Sequence, residues 1–475
     1  MRCIALAQAW LDLGGTVTFL SRELPRALAA RLTSEGFNHI HLPSEANDLK
    51  ETCFHAKESA WVVIDGYQFD TDFCDEVVKS AKHVLLIDDL GDLNYYSAEL
   101  ILNQNITANS AMYEQRSANT SLLFSGRYAL LRREFRLPPL LRNYDSPCER
   151  VLVTLGGSDP QNVTLKVVEA LISQKQLHAK IVLGAANPHK EILMQYCLQE
   201  NGRIELLYSV ENMVTLMDWA QIAISAGGTS VLELASRGLP TLLVAIADNQ
   251  SAICETMHQK QIMRSLGWHE TFTAIELSEA IGQFTSKDAK NQRAVFSARS
   301  MQLVDAKGAS RTAFEMMARL AMSFVHVRPA TLQDTKLAYD WANDPVTRSV
   351  SFNQDLISWE DHQSWYINRL NQSSYRLLIG EDNDKLAFGI VRFDLQDDVA
   401  TISINLEPTM RGKGLGNLLI LVACLEILHH SPVRQIRALI KPDNRSSLKA
   451  FQRAGFEQIS DVNVNGQTAL CLVLN

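Results

Sequence analysis

The chain has 475 residues, of which 46% are hydrophobic and 21% charged, with a formal net charge of −8. This composition is typical of a folded globular protein of about three domains, and an acidic chain is a poor candidate for binding nucleic acid or an anionic membrane. None of the eight cysteines lies in a CxxC pair or at zinc-type spacing, so we expect reduced thiols, no metal site and a cytoplasmic protein. No apolar run reaches about 18 residues, so no membrane span is expected.

The N-terminal part alternates short apolar runs with helical patterns. The segment MRCIALAQAWLDLGG predicts a helix from the first residue, and Pro25–Ser34 predicts a second one. Strands that are apolar throughout, rather than alternating, are typical of a parallel sheet covered on both faces. We therefore predict a doubly wound α/β domain over residues 1–143. Its predicted strands are Thr16–Leu20, Trp61–Asp65, His83–Asp88 and Glu99–Asn103.

A polar stretch, Leu137–Glu149, predicts a linker, after which the alternation restarts. A second α/β domain is therefore predicted over residues 148–322, with a helix at Asn162–Ser173. Two such domains in tandem predict a ligand cleft between them. The predicted strands are Val151–Leu155, Lys180–Leu183, Ile204–Leu207, Ile222–Ser225 and Thr241–Val244.

Glycine turns in the second domain follow strands and open helices. The run Ser225–Ser230 (SAGGTS) suits a diphosphate, and Glu233, one helical turn on, can accept hydrogen bonds from ribose hydroxyls. Asn249 follows the next strand, and Gly157 lies in a second glycine turn, Thr154–Pro160. Each turn alone could be a tight turn with a helix cap. Together, at the ends of successive strands, they favour a bound ligand.

The third domain, predicted over residues 326–475, has strands of a different character. Ala400–Leu406 alternates with period two, and Tyr375–Glu381 precedes a turn, so we predict a mixed sheet with helices. The loop Arg411–Gly416 (RGKGLG) follows a strand and opens an apolar helix. Glycines let a backbone approach an anion, and amides at a helix start bind phosphate. A glycine turn without a ligand is the plain alternative.

Arg411, Gly414 and Gly416 match the pyrophosphate loop of the GNAT N-acetyltransferases, Gln/Arg-x-x-Gly-x-Gly/Ala, and the whole segment resembles that family. The resemblance implies an α+β GNAT fold and acetyl-CoA as cofactor. Asn444 sits where the family places an Asn near the pantetheine arm. The residues that the resemblance assigns to the cofactor are Arg411, Gly412, Gly414, Leu415, Gly416 and Asn444.

For catalysis by this domain, the sequence shows one departure from the family and one candidate general base. Phe451 stands where many GNAT enzymes have a Tyr as general acid for the departing thiolate, and it has no proton to give. Glu407, at the end of a strand, is a candidate general base, or else a solvated strand-end carboxylate. Asp340–Trp365 looks like the acceptor-side helices of a PseH-like GNAT subgroup, which acetylates amino sugars on nucleotide carriers.

Residues 1–320 resemble the PseG family of hydrolases, which have a GT-B fold and release UDP from UDP-2,4-diacetamido-2,4,6-trideoxy-β-L-altropyranose in pseudaminic acid synthesis. The resemblance implies a GT-B-like pair of Rossmann-type domains. It also implies that Gly227, Gly228, Thr229 and Glu233 hold UDP, and that Tyr67 and Asn249 lie at the sugar. The segments that carry it include VVIDGY (62–67), LLIDDL (85–90), LILNQN (100–105), LGGSDPQN (155–162) and SAGGTSVLELASRGLP (225–240).

The front of the chain departs from that family. A Gly-x-Gly-His-x-x-Arg-Cys loop is usual, with its His as general base, and only Arg2 and Cys3 match its end. Two explanations for the missing part of this loop stay open, a start codon placed too late and a real loss of the loop. We expect a first sheet that lacks a strand, apolar surface uncovered near Met1, and little hydrolase activity.

Taken together, these resemblances predict a bifunctional enzyme. Its small-molecule partners would be acetyl-CoA and a UDP-amino-sugar, which is N-acetylated at its 4-amino group and later hydrolysed to free sugar and UDP. Two alternatives stay open. The first is a MurG-type glycosyltransferase fused to the GNAT domain, and the second is a non-catalytic UDP-sugar-binding module that supports it.

Overall fold

A computed structural model describes residues 1–22, 24–43, 47–146, 148–184, 186–208, 210 and 212–475. Contacts divide the chain into two compact units, residues 1–11 with 16–309 and residues 12–15 with 310–475. The first unit holds the predicted α/β domains apart from residues 12–15 and 310–322, which lie in the second unit with the predicted GNAT domain. The boundary between the first two domains stays a prediction.

The N-terminal part of the first unit holds six described parallel strands in two sheets, one of two strands and one of four in the order β3-β4-β5-β6. Strands β4 and β5 are buried along their whole length, as their apolar sequences predict. The strands are β1 (Thr18–Ser21), β2 (Asn38–His41), β3 (Val62–Asp65), β4 (Val84–Ile87), β5 (Leu100–Asn103) and β6 (Ser121–Phe124). The helices are α1 (Arg2–Asp12), α2 (Arg26–Ser34), α3 (Asp48–Ala56) and α4 (Thr71–Ser80).

The region around Met1 differs in part from the expectation. The pair β1–β2 is not joined to the four-stranded sheet. However, Ile4, Ala5 and Leu6 of α1 are buried. The prediction that apolar surface is uncovered beside Met1 is therefore wrong for these side chains, because α1 turns its apolar face into a core with α2.

The C-terminal part of the first unit is a six-stranded parallel sheet in the order β12-β11-β10-β7-β8-β9. Helices alternate with these strands along the chain, and two separate apolar cores pack against the sheet, which is the doubly wound pattern predicted from the sequence. The strands are β7 (Arg150–Thr154), β8 (His178–Leu183), β9 (Ile204–Tyr208), β10 (Ile222–Ala226), β11 (Thr241–Ala245) and β12 (Arg264–Trp268). The helices are α5 (Val163–Ser173), α6 (Lys190–Leu198), α7 (Met213–Trp219), α8 (Ser230–Ser236), α9 (Asp248–Gln259), α10 (Ala274–Thr285) and α11 (Lys290–Leu303), and the next helix, α12 (Gly308–Ala321), belongs to the second unit from residue 310 onward.

The second unit is a seven-stranded mixed sheet in the order β13-β14-β15-β16-β17-β19-β18. Phe314 and Ala318 pack into its core together with the buried, apolar α16. Its strands are β13 (His326–Pro329), β14 (Tyr375–Glu381), β15 (Ala387–Gln396), β16 (Val399–Leu406), β17 (Gln435–Ile440), β18 (Glu457–Val464) and β19 (Gln467–Leu474). Its further helices are α13 (Thr335–Asn343), α14 (Pro345–Val350), α15 (Trp359–Leu370), α16 (Leu415–His430) and α17 (Arg445–Arg453).

Within the described residues, no helix has both the length and the apolar character that crossing a bilayer requires. The most apolar helix, α16, is buried in the core of the second unit.

Candidate functional site

The second unit has an opening between two parallel strands. β16 and β17 pair only as far as Ile402 and Ala438, although β16 continues to Leu406 and β17 to Ile440. A cavity of about 760 Å³ lies where the strands separate. The backbone edges that face each other there are free of ladder bonds, so they can bond a ligand that lies between the strands.

The predicted glycine loop lines this cavity. Gly412 and Gly414 have φ of 76° and 82°, a left-handed conformation that glycine adopts without strain. Nothing lies within 4 Å of a Cβ built on either residue, so the loop leaves room for a ligand at close range. Gly414 is the N-cap of α16, and Leu415 is its first residue. The N-terminus of a 16-residue helix, approached over bare backbone, suits a pyrophosphate.

The Arg411 side chain anchors this loop. Its guanidinium donates to Asp344 Oδ1 at 2.6 Å, to Thr347 Oγ1 at 2.9 Å and to the Leu406 carbonyl at 3.2 Å. Asp344 also caps α14 by accepting from the Thr347 N–H at 3.0 Å. Burial opposes ionisation of Asp344, but the bonds from Thr347 and Arg411 outweigh it and lower its pKa. A cofactor contact by the Arg411 side chain stays a prediction.

We expect Asp344→Asn to destabilise the second unit by about 2 kcal/mol at neutral pH, because it keeps a cap acceptor but loses the charge-assisted bond. A carboxyl whose pKa is lowered on folding contributes stability above its unfolded pKa of about 4 and loses it as the pH falls further. The difference from wild type should therefore shrink below about pH 4. Native-state hydrogen exchange of residues 415–430 measures it, and equal protection at neutral pH would contradict the assignment.

Two of the three other residues singled out in the sequence of this domain line the cavity, and the third does not. Asn444 lines the cavity and caps α17, since its Oδ1 accepts from the Ser447 N–H at 3.2 Å. Phe451 is buried, lines the cavity and packs edge-on against Phe456. The Glu407 carboxylate accepts from Thr409 Oγ1 at 2.8 Å, and Glu407 is not among the lining residues. The structure therefore does not bring the candidate base into the cavity.

The cavity is strongly positive. No aspartate or glutamate lines it within residues 212–475, all of which the structure describes. Positive charge suits the phosphates of acetyl-CoA, so the residues present fit this cofactor. It also lowers the pKa of an ammonium group bound there and so favours the neutral, nucleophilic amine. The cationic lining residues are Arg348, Arg392, Arg411, Lys441, Lys449 and Arg453.

A polar cluster in the first unit lies where β3, β4 and β5 end. Tyr67 donates to Asp89 Oδ2 at 2.9 Å, and Asn105 donates to Asp89 Oδ1 at 3.3 Å. Arg2 donates to Asp89 at 2.6 Å and to Asp65 at 2.7 Å. Burial opposes ionisation of Asp65, but the bonds from Arg2 lower its pKa, while burial and Asp89 raise the pKa of Tyr67. The carboxyl ends of parallel strands are where such sheets bind ligands.

The glycine turns of the six-stranded sheet have different structural roles. A Cβ on Gly227 would lie 2.5 Å from Cys254 Sγ, whereas a Cβ on Gly228 meets nothing closer than Gln250 Nε2 at 3.9 Å. Gly227 is therefore needed for packing, and Gly228 faces open space. Gly157 also has nothing within 4 Å, and Asn249 is an exposed residue in the first turn of α9. Tyr67 lies in the loop after β3 of the four-stranded sheet, whereas Asn249 lies in α9, after β11 of the six-stranded sheet.

Glu233 is held in an ion pair. Arg132 approaches Glu233 Oε1 at 3.2 Å and donates to Glu134 at 2.7 Å. Burial raises the pKa of Glu233, Arg132 and the Met1 amino group lower it, and Glu134 raises it. Thr229 precedes α8 without a side-chain cap bond. A contact from Glu233 to ribose stays a prediction, since its carboxylate faces Arg132 here.

Two parts of the chain match known families. Residues 151–307 match the glycosyltransferase family 28 C-terminal domain, and residues 325–457 match the acetyltransferase (GNAT) domain. The chain therefore carries a GT28-type C-terminal domain with a Rossmann-like parallel sheet, followed by a GNAT acetyltransferase domain with a mixed sheet. Acetyl-CoA, which the resemblance to the GNAT family implied, is the cofactor of this acetyltransferase domain.

Individual relatives span the chain to different extents. The uncharacterized protein MJ1062 of Methanocaldococcus jannaschii is 23% identical over 441 residues, 90% of this chain and 87% of that protein. The spore coat polysaccharide biosynthesis protein SpsG of Bacillus subtilis is 28% identical over 193 residues, 40% of this chain and 56% of SpsG.

Solved acetyltransferase structures are also similar to part of the chain. The structure of AAC(6')-Ib in complex with ribostamycin and coenzyme A is 22% identical and covers 31% of this chain and 92% of its own, at a TM-score of 0.29. The spermidine N-acetyltransferase of Vibrio cholerae, with CoA and spermine, is 19% identical and covers 32% of this chain and 95% of its own, also at 0.29. No conclusion about the acceptor rests on these two similarities.

Proposed function

We propose that this chain makes an N-acetylated amino sugar carried on UDP. The second unit transfers an acetyl group from acetyl-CoA to the 4-amino group of a UDP-sugar, and the first unit binds the UDP part of the same class of compound. One observation carries the proposal: a cation-lined GNAT cavity and a GT28-type domain occur in a single chain. The GT28-type domain favours a nucleotide-linked sugar as the acceptor of the acetyltransferase. The acetyltransferase in turn favours an amino sugar as the ligand of the GT28-type domain.

The residues of the second unit account for the transfer without a conventional acid–base pair. Acetyl-CoA supplies the activated acetyl group when bound. The positive lining favours the neutral amine, which can attack as soon as it is aligned. Phe451 gives no proton, so the departing thiolate takes its proton from water or from the product ammonium. Backbone groups of β16 beyond Ile402 can orient the acetyl carbonyl between the strands.

Release of the CoA thiol tests this proposal with three acceptors. These are a UDP-4-amino-sugar, the same amino sugar without UDP, and a UDP-sugar with a hydroxyl group at that position. We expect rapid thiol release with the first alone, because it provides both the amine and the nucleotide. Equal rates with the free amino sugar would contradict the nucleotide requirement.

UDP binding by the first unit is tested at Gly228. Since a Cβ there meets nothing closer than 3.9 Å, Gly228→Ala should fold normally. We expect it to raise the Kd for UDP about ten-fold, because the methyl group displaces a phosphate that packs on the bare backbone. Titration calorimetry with UDP measures the change. Gly282→Ala, whose Cβ would meet Gln174 Nε2 at 3.4 Å, is the control in the same unit. Unchanged affinity in Gly228→Ala would argue against this diphosphate position.

Hydrolysis of the UDP-sugar is a second candidate function for the first unit. The cluster of Asp65, Tyr67 and Asp89 at the ends of β3 and β4 favours it, because it offers carboxylates to activate water. Incubation with the acetylated UDP-sugar alone separates the alternatives. UDP release without an acceptor supports hydrolysis, release only with an acceptor supports glycosyl transfer, and binding without release supports a binding module. The low hydrolase activity expected from the sequence stays a prediction for this assay.

A further inference from the structure

Arg392 is an unusual residue in the middle of the GNAT sheet. It lies on β15 within the otherwise apolar run FGIVRF, directly opposite Leu377 on β14 and Ser403 on β16. Residues directly opposite in antiparallel strands share a face, and Leu377 packs with the core formed by α13 and α15. Arg392 therefore points to the face of the sheet that those two helices cover.

Arg392 has no protein partner for its charge. Among the residues that the structure describes, nothing forms a hydrogen bond or an ion pair with it, and its Nε is buried and unsatisfied. Asp394, on the same face, is instead bound by the Tyr375 hydroxyl at 2.9 Å. The guanidinium carbon lies 5.7 Å from the centroid of the Trp365 ring of α15, which is within cation–π distance. Leaving a guanidinium unpaired in such a place is costly unless a ligand completes it.

A second guanidinium increases the positive charge at this point. Arg348 of α14 lines the same cavity and donates only to neutral groups, the carbonyls of Asn353 and Asp355 and the Ser351 hydroxyl. Its Nε is also buried without a partner. Burial, with a smaller contribution from the charge of Arg348, lowers the pKa of Arg392 to about 10. Two cations held close together without a counter-ion indicate a site for an anion.

Arg392 lies apart from the phosphate-binding loop. Ser403, which lies opposite Arg392 in the sheet, directly follows Ile402, the last residue of β16 that pairs with β17. Arg392 is therefore level with the narrow end of the opening between those two strands. The glycine loop follows the other end of the strand, after Leu406. The cofactor pyrophosphate is assigned to that loop under the proposed function. The anion at Arg392 therefore belongs to the other substrate.

We propose that Arg392, with Arg348 beside it, binds the diphosphate of the acceptor and makes this acetyltransferase selective for nucleotide-linked amines. The proposal rests on the proposed function and adds the residues that recognise its substrate. A guanidinium can bond two phosphate oxygens at once, and the Trp365 ring lies beside it. A polycationic amine would be repelled by the same pair.

Kinetics of Arg392→Gln test the proposal. We expect the KM for the UDP-amino-sugar to rise about ten- to one-hundred-fold, the value of one charge-assisted bond, with the KM for acetyl-CoA unchanged. Arg392→Lys should recover part of the loss, since it restores charge without the bidentate geometry. Arg376→Gln, an exposed arginine on the neighbouring strand β14, is the control and should behave as wild type.

A second readout does not depend on turnover. Arginines are modified with phenylglyoxal at saturating CoA, with and without UDP, and the labelled peptides are identified by mass spectrometry. We expect UDP to protect Arg392 and not Arg376. Because labelling is resolved by residue, UDP bound in the first unit does not confuse it. If the wild-type protein does not acetylate the UDP-amino-sugar, the proposed function is wrong. Protection of Arg392 by UDP still shows in that case whether Arg392 binds the diphosphate. Absence of protection, or an unchanged acceptor KM in active Arg392→Gln, overturns the inference itself.

Discussion

Replacing Gly414 by Asp should raise the Kd for acetyl-CoA about one-hundred-fold and abolish measurable acetyl transfer at ordinary cofactor concentrations. Gly414 lines the cavity with φ of 82°, and a Cβ there points into space that a ligand can occupy. A carboxylate about 5 Å from a pyrophosphate, at an effective dielectric constant of about 20, costs about 3 kcal/mol of binding. That free energy corresponds to about two powers of ten in Kd.

Two comparisons separate charge from backbone strain. Gly414→Asn has nearly the same shape without the charge, and Asn and Asp both tolerate the left-handed conformation, so its affinity should fall by about ten-fold or less. Gly466, in the turn between β18 and β19, has φ of 83° and nothing within 4 Å of its Cβ, and it does not line the cavity. Gly466→Asp should therefore bind acetyl-CoA like wild type. Equal losses in Gly414→Asp and Gly466→Asp would mean that the glycines matter only for folding.

Removing the charge of Arg132 should destabilise the first unit by about 3 kcal/mol, the usual cost of breaking a buried ion pair. The Arg132 side chain is 8% exposed and holds Glu134 and Glu233 together. Arg132→Met keeps most of the buried stem but leaves two carboxylates facing each other. Hydrogen exchange of residues 222–236, which include β10 and all of α8, measures the loss locally.

The pH dependence of Arg132→Met has a definite sign. Burial already raises the pKa of Glu233, and loss of Arg132 removes an influence that lowers it. The folded state of the variant then binds more protons than the unfolded state, so its unfolding free energy should rise as the pH falls from about 8 towards 5. Adding Glu233→Gln should recover part of the loss, and Arg26→Met, at an exposed arginine of α2 in the same unit, should have little effect. Stability of Arg132→Met equal to wild type at pH 8 would contradict the ion-pair account.

The sequence predicted every interior strand of the four-stranded and six-stranded sheets, and also the edge strands β3 and β9 and strand β1 of the two-stranded pair. β4, β5, β10 and β11 are buried throughout, and their uninterrupted apolar runs predict strands covered on both faces. The unpredicted β6 and β12 are edge strands, and β2 belongs to the two-stranded pair. Edge strands are partly exposed, so sequences such as NHIH, SLLF and RSLGW carry a weak apolar signal.

A motif that is continuous in the sequence could be predicted, whereas contacts between distant residues could not. The loop Arg411–Gly416 was visible because its glycines are adjacent in sequence and are followed by an apolar helix. The partners Arg411 and Asp344 are 67 residues apart, so no spacing rule connects them. The sequence shows Arg392 as a charged residue in an apolar strand. Only the structure shows that its buried Nε has no hydrogen-bond partner among the described residues.

The product of the second unit tests the central claim most directly. The protein is incubated with acetyl-CoA and a UDP-4-amino-sugar, and the product is analysed by mass spectrometry and NMR. We predict one added acetyl group, attached to the 4-amino nitrogen of a sugar that still carries UDP. Binding of acetyl-CoA with no acetylation of this UDP-amino-sugar, or with an acetyl group on a hydroxyl, would contradict the account.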